Sequence, residues 1–309
     1  MSSIVYREMT CAAIHDLSGL GKCSLTVALP VLSACGVETS VMPTAVLSTH
    51  TGGFEGFTYR DLTEDLLPVA RHWQGLGCGF QALYTGFLGS AEQTGLVGEI
   101  FDMFPQAMPM VDPVMGDGGR LYRTMTPAMV EGMKGLCARA RLVTPNLTEA
   151  AALLDEAYQE GPLSRERLEE LLCRLCGLGP EMAVLTGVRC EGGLGAVCME
   201  KGGRPTFCML EELPGAYHGT GDLFASTLLG GLLNGMNLEE ACWLAVRFTH
   251  QVIESTRKYS KDFRFGPKFE MHLPQLAVEV EAFRQRDAGP DSRGRAKDTP
   301  SRCGGGGVS

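Results

Sequence analysis

Four residues, Gly219-Thr220-Gly221-Asp222, stand directly before the apolar run Leu223–Leu233. Two glycines let the backbone approach a ligand closely and adopt positive φ. A helix starting there would aim free N–H groups and its positive dipole end at an anion. An aspartate in such a first turn could merely favour the dipole, worth about 0.3–1 kcal/mol. Beside an anion pocket, Asp222 can also take a proton from an attacking hydroxyl while the N–H groups stabilise charge on a transferring phosphoryl group. Base help of this kind is worth about 10²–10⁴-fold, and each anion-hole donor about 10²–10³-fold.

Other oxygen-bearing groups follow short apolar runs: Asp112 after Met108–Val111, Thr144 and Asn146 after Leu142, and Thr186 with Gly187 after Met182. Each has a plainer reading. Asp112-Pro113 could end a strand. Thr144-Pro145-Asn146 could be a turn that caps a helix beginning at Leu147, with Glu149 as a first-turn dipole residue. Their joint occurrence with the glycine pair argues for one site. The segment His15–Ser24 superficially suggests a phosphate-binding Walker loop. That motif needs glycine where Asp16 stands and Ser or Thr where Cys23 stands, so the reading fails.

These groups need elements to hold them. Short β-type runs at Ala12–Ile14, Thr39–Val46, Ala82–Thr85, Met108–Asp112, Leu142–Thr144 and Met182–Thr186 predict strands, the first followed by a glycine-rich turn. Helical patterns intervene at Ser24–Cys35, Leu62–Leu76, Ala91–Phe104, Pro127–Ala138, Leu147–Leu154 and Arg165–Leu175. Gly195–Met199 and Thr206–Leu210 read as an antiparallel pair, and Asp222–Asn234 and Leu238–Thr256 as two closing helices. Alternation of this kind predicts an α/β fold, a mainly parallel sheet covered by helices on both faces. Ligands then bind beyond the carboxyl ends of the strands, where the candidate groups fall.

The 309 residues carry a net charge of −9, against bulk nucleic-acid binding, which needs a basic footprint. No apolar run is long enough to span a membrane, and the N-terminus lacks the pattern of a signal peptide. Twelve scattered cysteines, several in apolar runs (Cys11, Cys35, Cys78, Cys198, Cys242), read as reduced, buried thiols in a cytoplasmic protein. Cys173 and Cys176 lie in a helical run and read as helix packing. Residues 1–286 are expected to form one domain. The Gly-, Pro- and charge-rich stretch 287–309 is expected to be a disordered tail.

Gly219–Asp222 before an apolar helix resembles the signature of the ribokinase-like superfamily. Ser48-Thr49-His50-Thr51-Gly52, Thr85–Gln93, Asp112–Asp117 and Thr144–Glu149 are similar, in the same order, to segments of its vitamin B6 kinase branch. The resemblance covers roughly residues 10 to 275 and implies a three-layer αβα fold. It implies an ATP-dependent kinase acting on the 5′-hydroxymethyl group of pyridoxal, pyridoxine or pyridoxamine, with Asp222 as base and Gly219, Thr220 and Gly221 as anion hole. It further implies ATP contacts from Asp112, Thr144, Asn146, Glu149, Thr186 and Gly187. Asp112, Asp117 and Glu149, with Asn146, would organise Mg²⁺, and Asp112 with Thr144 is a candidate for holding a monovalent cation such as K⁺. Thr51 and Phe87 would line the ring pocket, and Gly116–Thr124 would form a mobile lid.

Asp16-Leu17-Ser18-Gly19 departs from that branch and looks more like hydroxymethylpyrimidine kinases of thiamin metabolism. Asp16 and Ser18 are candidate substrate contacts in either case. A catalytically silent vitamer sensor is the rival from another class. Relatives in the family are usually dimers, so a homodimer is expected.

Overall fold

A computed structural model describes residues 9–215 and 217–287. Its central sheet has nine strands. Six run parallel: β1 (Thr10–Leu20), β2 (Glu38–Thr49), β4 (Ala82–Thr85), β5 (Met108–Val111), β8 (Leu142–Val143) and β9 (Met182–Cys190). Antiparallel strands close the two edges: β3 (Tyr59–Asp61) beside β2, and β10 (Gly193–Glu200) with β11 (Thr206–Glu211) beside β9. The order across the sheet is β11-β10-β9-β8-β5-β4-β1-β2-β3.

Alternation along the strands divides the interior in two. Leu83, Val111 and Val143 face one core, while Ala82, Tyr84, Met110 and Leu142 face the other. The first core is covered by α2 (Thr63–Gly75), α3 (Ala91–Met103), α4 (Pro127–Arg139), α5 (Leu147–Leu153) and α6 (Arg165–Leu178). The second is covered by α1 (Leu25–Ala34), α7 (Thr220–Leu233), α8 (Leu238–Tyr259) and α9 (Leu273–Asp287). This is the expected three-layer αβα arrangement. Strands apolar on both faces need two covering layers, which is why these short runs read as continuous apolar stretches.

The structure corrects the sequence reading at two places and adds detail at a third. The turn expected after Ile14 is strand: β1 continues to Leu20, with an irregularity between His15 and Leu17, because residues 17–20 keep pairing with β2. Cys78 is exposed, whereas Cys11, Cys35, Cys198 and Cys242 are buried. The segment expected as a lid contains a small hairpin, β6 (Gly116–Asp117) and β7 (Arg120–Leu121). Gly118 and Gly119 take φ of 56° and 76°, the left-handed pair that a tight two-residue hairpin turn requires. They serve the turn's geometry. Helix α9 and the short strand β3 had no clear sequence signal. The tail from 288 onward lies outside the described residues, and α9 includes Asp287.

Candidate active site

All six parallel strands end at the same edge of the sheet. There β5 delivers Asp112, β8 delivers Thr144, and Thr186 pairs with Asn146 in an isolated parallel bridge. Thr144 Oγ1 donates to Asp112 Oδ1 at 3.2 Å, and both residues are buried. Asn146 and Glu149 form a capping box at the start of α5. Asn146 Oδ1 accepts from the Glu149 N–H, and Glu149 Oε2 accepts from the Asn146 N–H at 2.9 Å. Glu149 Oε1 also accepts from the Met115 N–H at 3.1 Å, and Asn146 Nδ2 donates to the Gly116 carbonyl at 2.8 Å. The capping expected at Leu147 is formed in full. The box fixes a buried carboxylate at the strand edge and ties the hairpin to it.

The hairpin is anchored a second time, where Gly119 N–H donates to Thr148 Oγ1 at 2.9 Å. Asp117 is exposed on it and accepts from the Gly118 N–H at 2.7 Å. Tyr122, just beyond it, carries no sequence motif. Its phenol, 40% exposed, is pushed up by desolvation and then by the charges of Glu149, Asp117, Asp222 and Asp112.

Helix α7 enters this edge at Gly219, whose φ of 81° makes it a left-handed N-cap. Asp222 is partly buried in the first turn. Burial, and then the charge of Asp16, push its pKa up to about 7; a hydrogen bond from the Ser24 backbone N–H works the other way. Asp112 is pushed up to about 8 by burial and by the charge of Asp222. Glu149 is raised well above the carboxylate range, first by burial and then by Asp112. Burial is the main cause for all three, neighbouring carboxylates add to it, and every charged donor at this strand edge is an oxygen. That is the donor chemistry a hard divalent cation takes, so Asp112 and Glu149 fit Mg²⁺.

A further group of buried polar side chains sits on the extended end of β1. Asp16 is buried, with Ser24 Oγ donating to its Oδ1 at 2.5 Å and Ser18 Oγ to its Oδ2 at 2.9 Å. His15, also fully buried, is lowered to about 3 by burial and so stays neutral. Phe87 is partly buried after β4, its carbonyl accepting from Thr44 Oγ1 at 3.2 Å, and Thr51 lies exposed in the loop after β2. That loop is held by His50. Its Nδ1 accepts from Gly52 N–H at 3.1 Å and its Nε2 lies 2.7 Å from the Arg264 carbonyl, so the proton sits on Nε2. His218, adjacent to Gly219, packs its ring over Gly52. Gly187 is exposed with φ of 62°.

Lys22 disposes of the Walker-like reading. Its ammonium bonds the Pro267 carbonyl at 3.0 Å and Glu270 at 2.5 Å. Ser24 was not singled out from sequence, because a serine before a helix reads as an ordinary cap. Here its hydroxyl goes to Asp16, and its backbone N–H faces Asp222.

The phosphomethylpyrimidine kinase family model matches residues 29–267. The chain belongs to that family. Its fold is that of the ribokinase-like kinases, and it is a kinase. A candidate phosphomethylpyrimidine kinase from Bacteroides thetaiotaomicron is 38% identical, with a TM-score of 0.84 over 89% of this chain and 96% of that one. A second crystal form of it, with pyridoxal, gives 37% and 0.82. A pyridoxal kinase from Lactobacillus plantarum is 30% identical, with a TM-score of 0.82 over 89% of this chain and 98% of its own. The pyridoxine/pyridoxal/pyridoxamine kinase of Bordetella avium is 29% identical over 250 residues, which cover 75% of this chain and 80% of that protein.

Proposed function

We propose that this kinase transfers the γ-phosphoryl group of ATP to the 5′-hydroxymethyl group of a B6 vitamer, pyridoxal, pyridoxine or pyridoxamine. The carrying observation is the pairing of Asp222, a carboxylate held near neutrality at a helix N-terminus, with Asp16, a buried carboxylate fixed by two serine hydroxyls. The first suits a base for an alcohol and the second suits a polar group on a heteroaromatic ring. The relative crystallised with pyridoxal supports this choice of acceptor.

In this reading the vitamer ring lies between Asp16 with Ser18 and the Phe87 and Thr51 segments. Asp222 accepts the hydroxyl proton as the oxygen attacks the γ-phosphorus. The O–P bond to the vitamer forms and the bond to the leaving ADP oxygen breaks, in line. The N–H groups of Gly219, Thr220 and Gly221 stabilise the charge on the transferring group. Thr144, Asn146, Thr186 and Gly187 serve the nucleotide. Asp112, Asp117 and Glu149 would hold Mg²⁺, which when bound neutralises phosphate charge, and Asp112 with Thr144 is the candidate site for a monovalent cation. We further assign residues 1–286 to one kinase domain acting as a cytoplasmic homodimer. Family habit supports the dimer, and the unpaired cysteines among the described residues support a reducing compartment.

The Asp16-Leu17-Ser18-Gly19 segment and the matched family favour one second reading, phosphorylation of hydroxymethylpyrimidine. A coupled ADP-release assay offering each vitamer and the pyrimidine separately tests both. Turnover of the vitamers supports the first reading, and turnover of the pyrimidine alone replaces it with the second.

A further inference from the structure

Residues 21–24, between β1 and α1, are the point where the acceptor loop, the anion hole and the C-terminal segment meet. Gly219 packs on the Lys22 carbonyl, Gly266 on the Lys22 backbone, and the His50 ring on Gly21. Ser24 closes this junction with φ 49° and ψ −129°, a conformation that favours glycine. Helix α1 gains nothing from its hydroxyl, since Ser24 makes no side-chain cap there. The hydroxyl instead donates to Asp16 Oδ1, while the backbone N–H of the same residue faces Asp222 and stabilises its charged form. A strained backbone at a buried residue is retained only where the surroundings over-determine it. Here one residue ties Asp16 to the segment on which the start of α7 is seated.

We infer that Ser24 is a positioning residue that fixes the ring-recognising carboxylate of Asp16 relative to the base Asp222, so that acceptor recognition and base alignment are set together. The inference rests on the functional reading above. Ser18, the other side-chain partner of Asp16 among the described residues, belongs to β1 itself and makes no such link.

The test compares Ser24→Gly and Ser24→Ala with the wild-type kinase. Both remove the hydroxyl and keep the N–H; glycine also relieves the backbone, whereas alanine keeps the strain. A lost hydrogen bond to a charged group predicts a rise of about 10-fold in the vitamer KM for both variants, with a smaller fall in kcat. The KM for MgATP stays within about 2-fold of wild type. Ser24→Gly should melt no lower than Ser24→Ala. In a cycle with Asp16→Asn, the combined loss should be well below the product of the single losses. Variants with wild-type vitamer KM, equal losses for vitamer and MgATP, or multiplicative losses in the cycle would overturn the assignment while leaving the kinase reading intact. Wild-type protein that neither binds nor phosphorylates any vitamer would defeat the functional reading, and the Ser24 assignment with it.

Discussion

The α-carbon of Gly219 rests against the carbonyl oxygen of Lys22, in a place where any side chain would overlap that oxygen. The contact is between backbone and backbone, so no rotamer change can relieve it, and φ of 81° adds a conformational cost for any other residue. It seats the start of α7 on the segment that follows β1, and so brings Asp222 to Ser24. Gly219→Ala should therefore displace the base and the N–H donors together. The expected outcome is a loss of kcat of at least about 10²-fold, with destabilisation of about 1–3 kcal/mol. Steady-state kinetics beside a urea melt would separate the two effects.

Asp222→Asn keeps the shape of the side chain and removes its basicity. MgATP affinity should stay near wild type while kcat falls by about 10² or more. In the wild-type enzyme the base must be deprotonated, so kcat/KM should rise with pH through about 7, the value to which burial and Asp16 push this carboxyl. A pH profile without that limb would remove Asp222 from the role of base.

Stability of the ligand-free protein should run the opposite way. Asp222 and Asp112 have folded-state values raised from 3.8 to about 7 and about 8. Between 3.8 and those values the folded state binds more protons than the unfolded chain, so stability falls as pH rises across that window. The melting temperature should drop between about pH 5 and pH 8, and Asp112→Asn should flatten the slope. Differential scanning calorimetry without nucleotide or Mg²⁺ measures it directly.

Lys22 offers a contrast with P-loop proteins, where the equivalent lysine reaches the phosphates. Its ammonium is already engaged by Glu270 and the Pro267 carbonyl. Lys22→Met should leave the KM for ATP within about 2-fold and cost about 1 kcal/mol of stability at most, because Glu270 is half-exposed. A loss of ATP affinity of about 100-fold would mean that the lysine reaches the nucleotide after all.

Capping of α5 tests how the strand edge is organised. Glu149→Gln can keep the bond from the Asn146 N–H but turns an amide NH2 toward the Met115 N–H, and it removes a carboxylate oxygen from the strand edge. The expected result is a fold destabilised by about 1–3 kcal/mol for the Met115 N–H left without its acceptor, and a rise of about 10-fold in the Mg²⁺ concentration needed for half-maximal rate. Magnesium titration of the initial rate checks it. Equal Mg²⁺ dependence would confine Glu149 to helix capping.

Much of this protein was legible from residue order because its signals are local. Apolar runs such as Ala82–Thr85 and Leu142–Val143 must be buried on both faces, and that alone demands a parallel sheet between two helix layers. Gly219 and Asp222 betray themselves by the need for positive φ and for a carboxylate in a helix's first turn. The strand through Leu20 was missed because His15–Gly21 looks like a turn by composition; only pairing with β2 keeps it extended. The hairpin at 116–121 left no strand signal, since a loop and a left-handed turn favour the same glycines. Ser24 left no signal at all. A serine before a helix predicts a cap, and nothing in its neighbours shows that its hydroxyl and N–H will point at residues 8 positions before it and 198 after it. Sequence by itself determined which groups could do chemistry and the layered frame that carries them, because those follow from residue type and periodicity. Only the tertiary structure decided which carboxylates share one electrostatic environment, because burial and mutual repulsion exist only once the strand ends and the start of α7 are brought together.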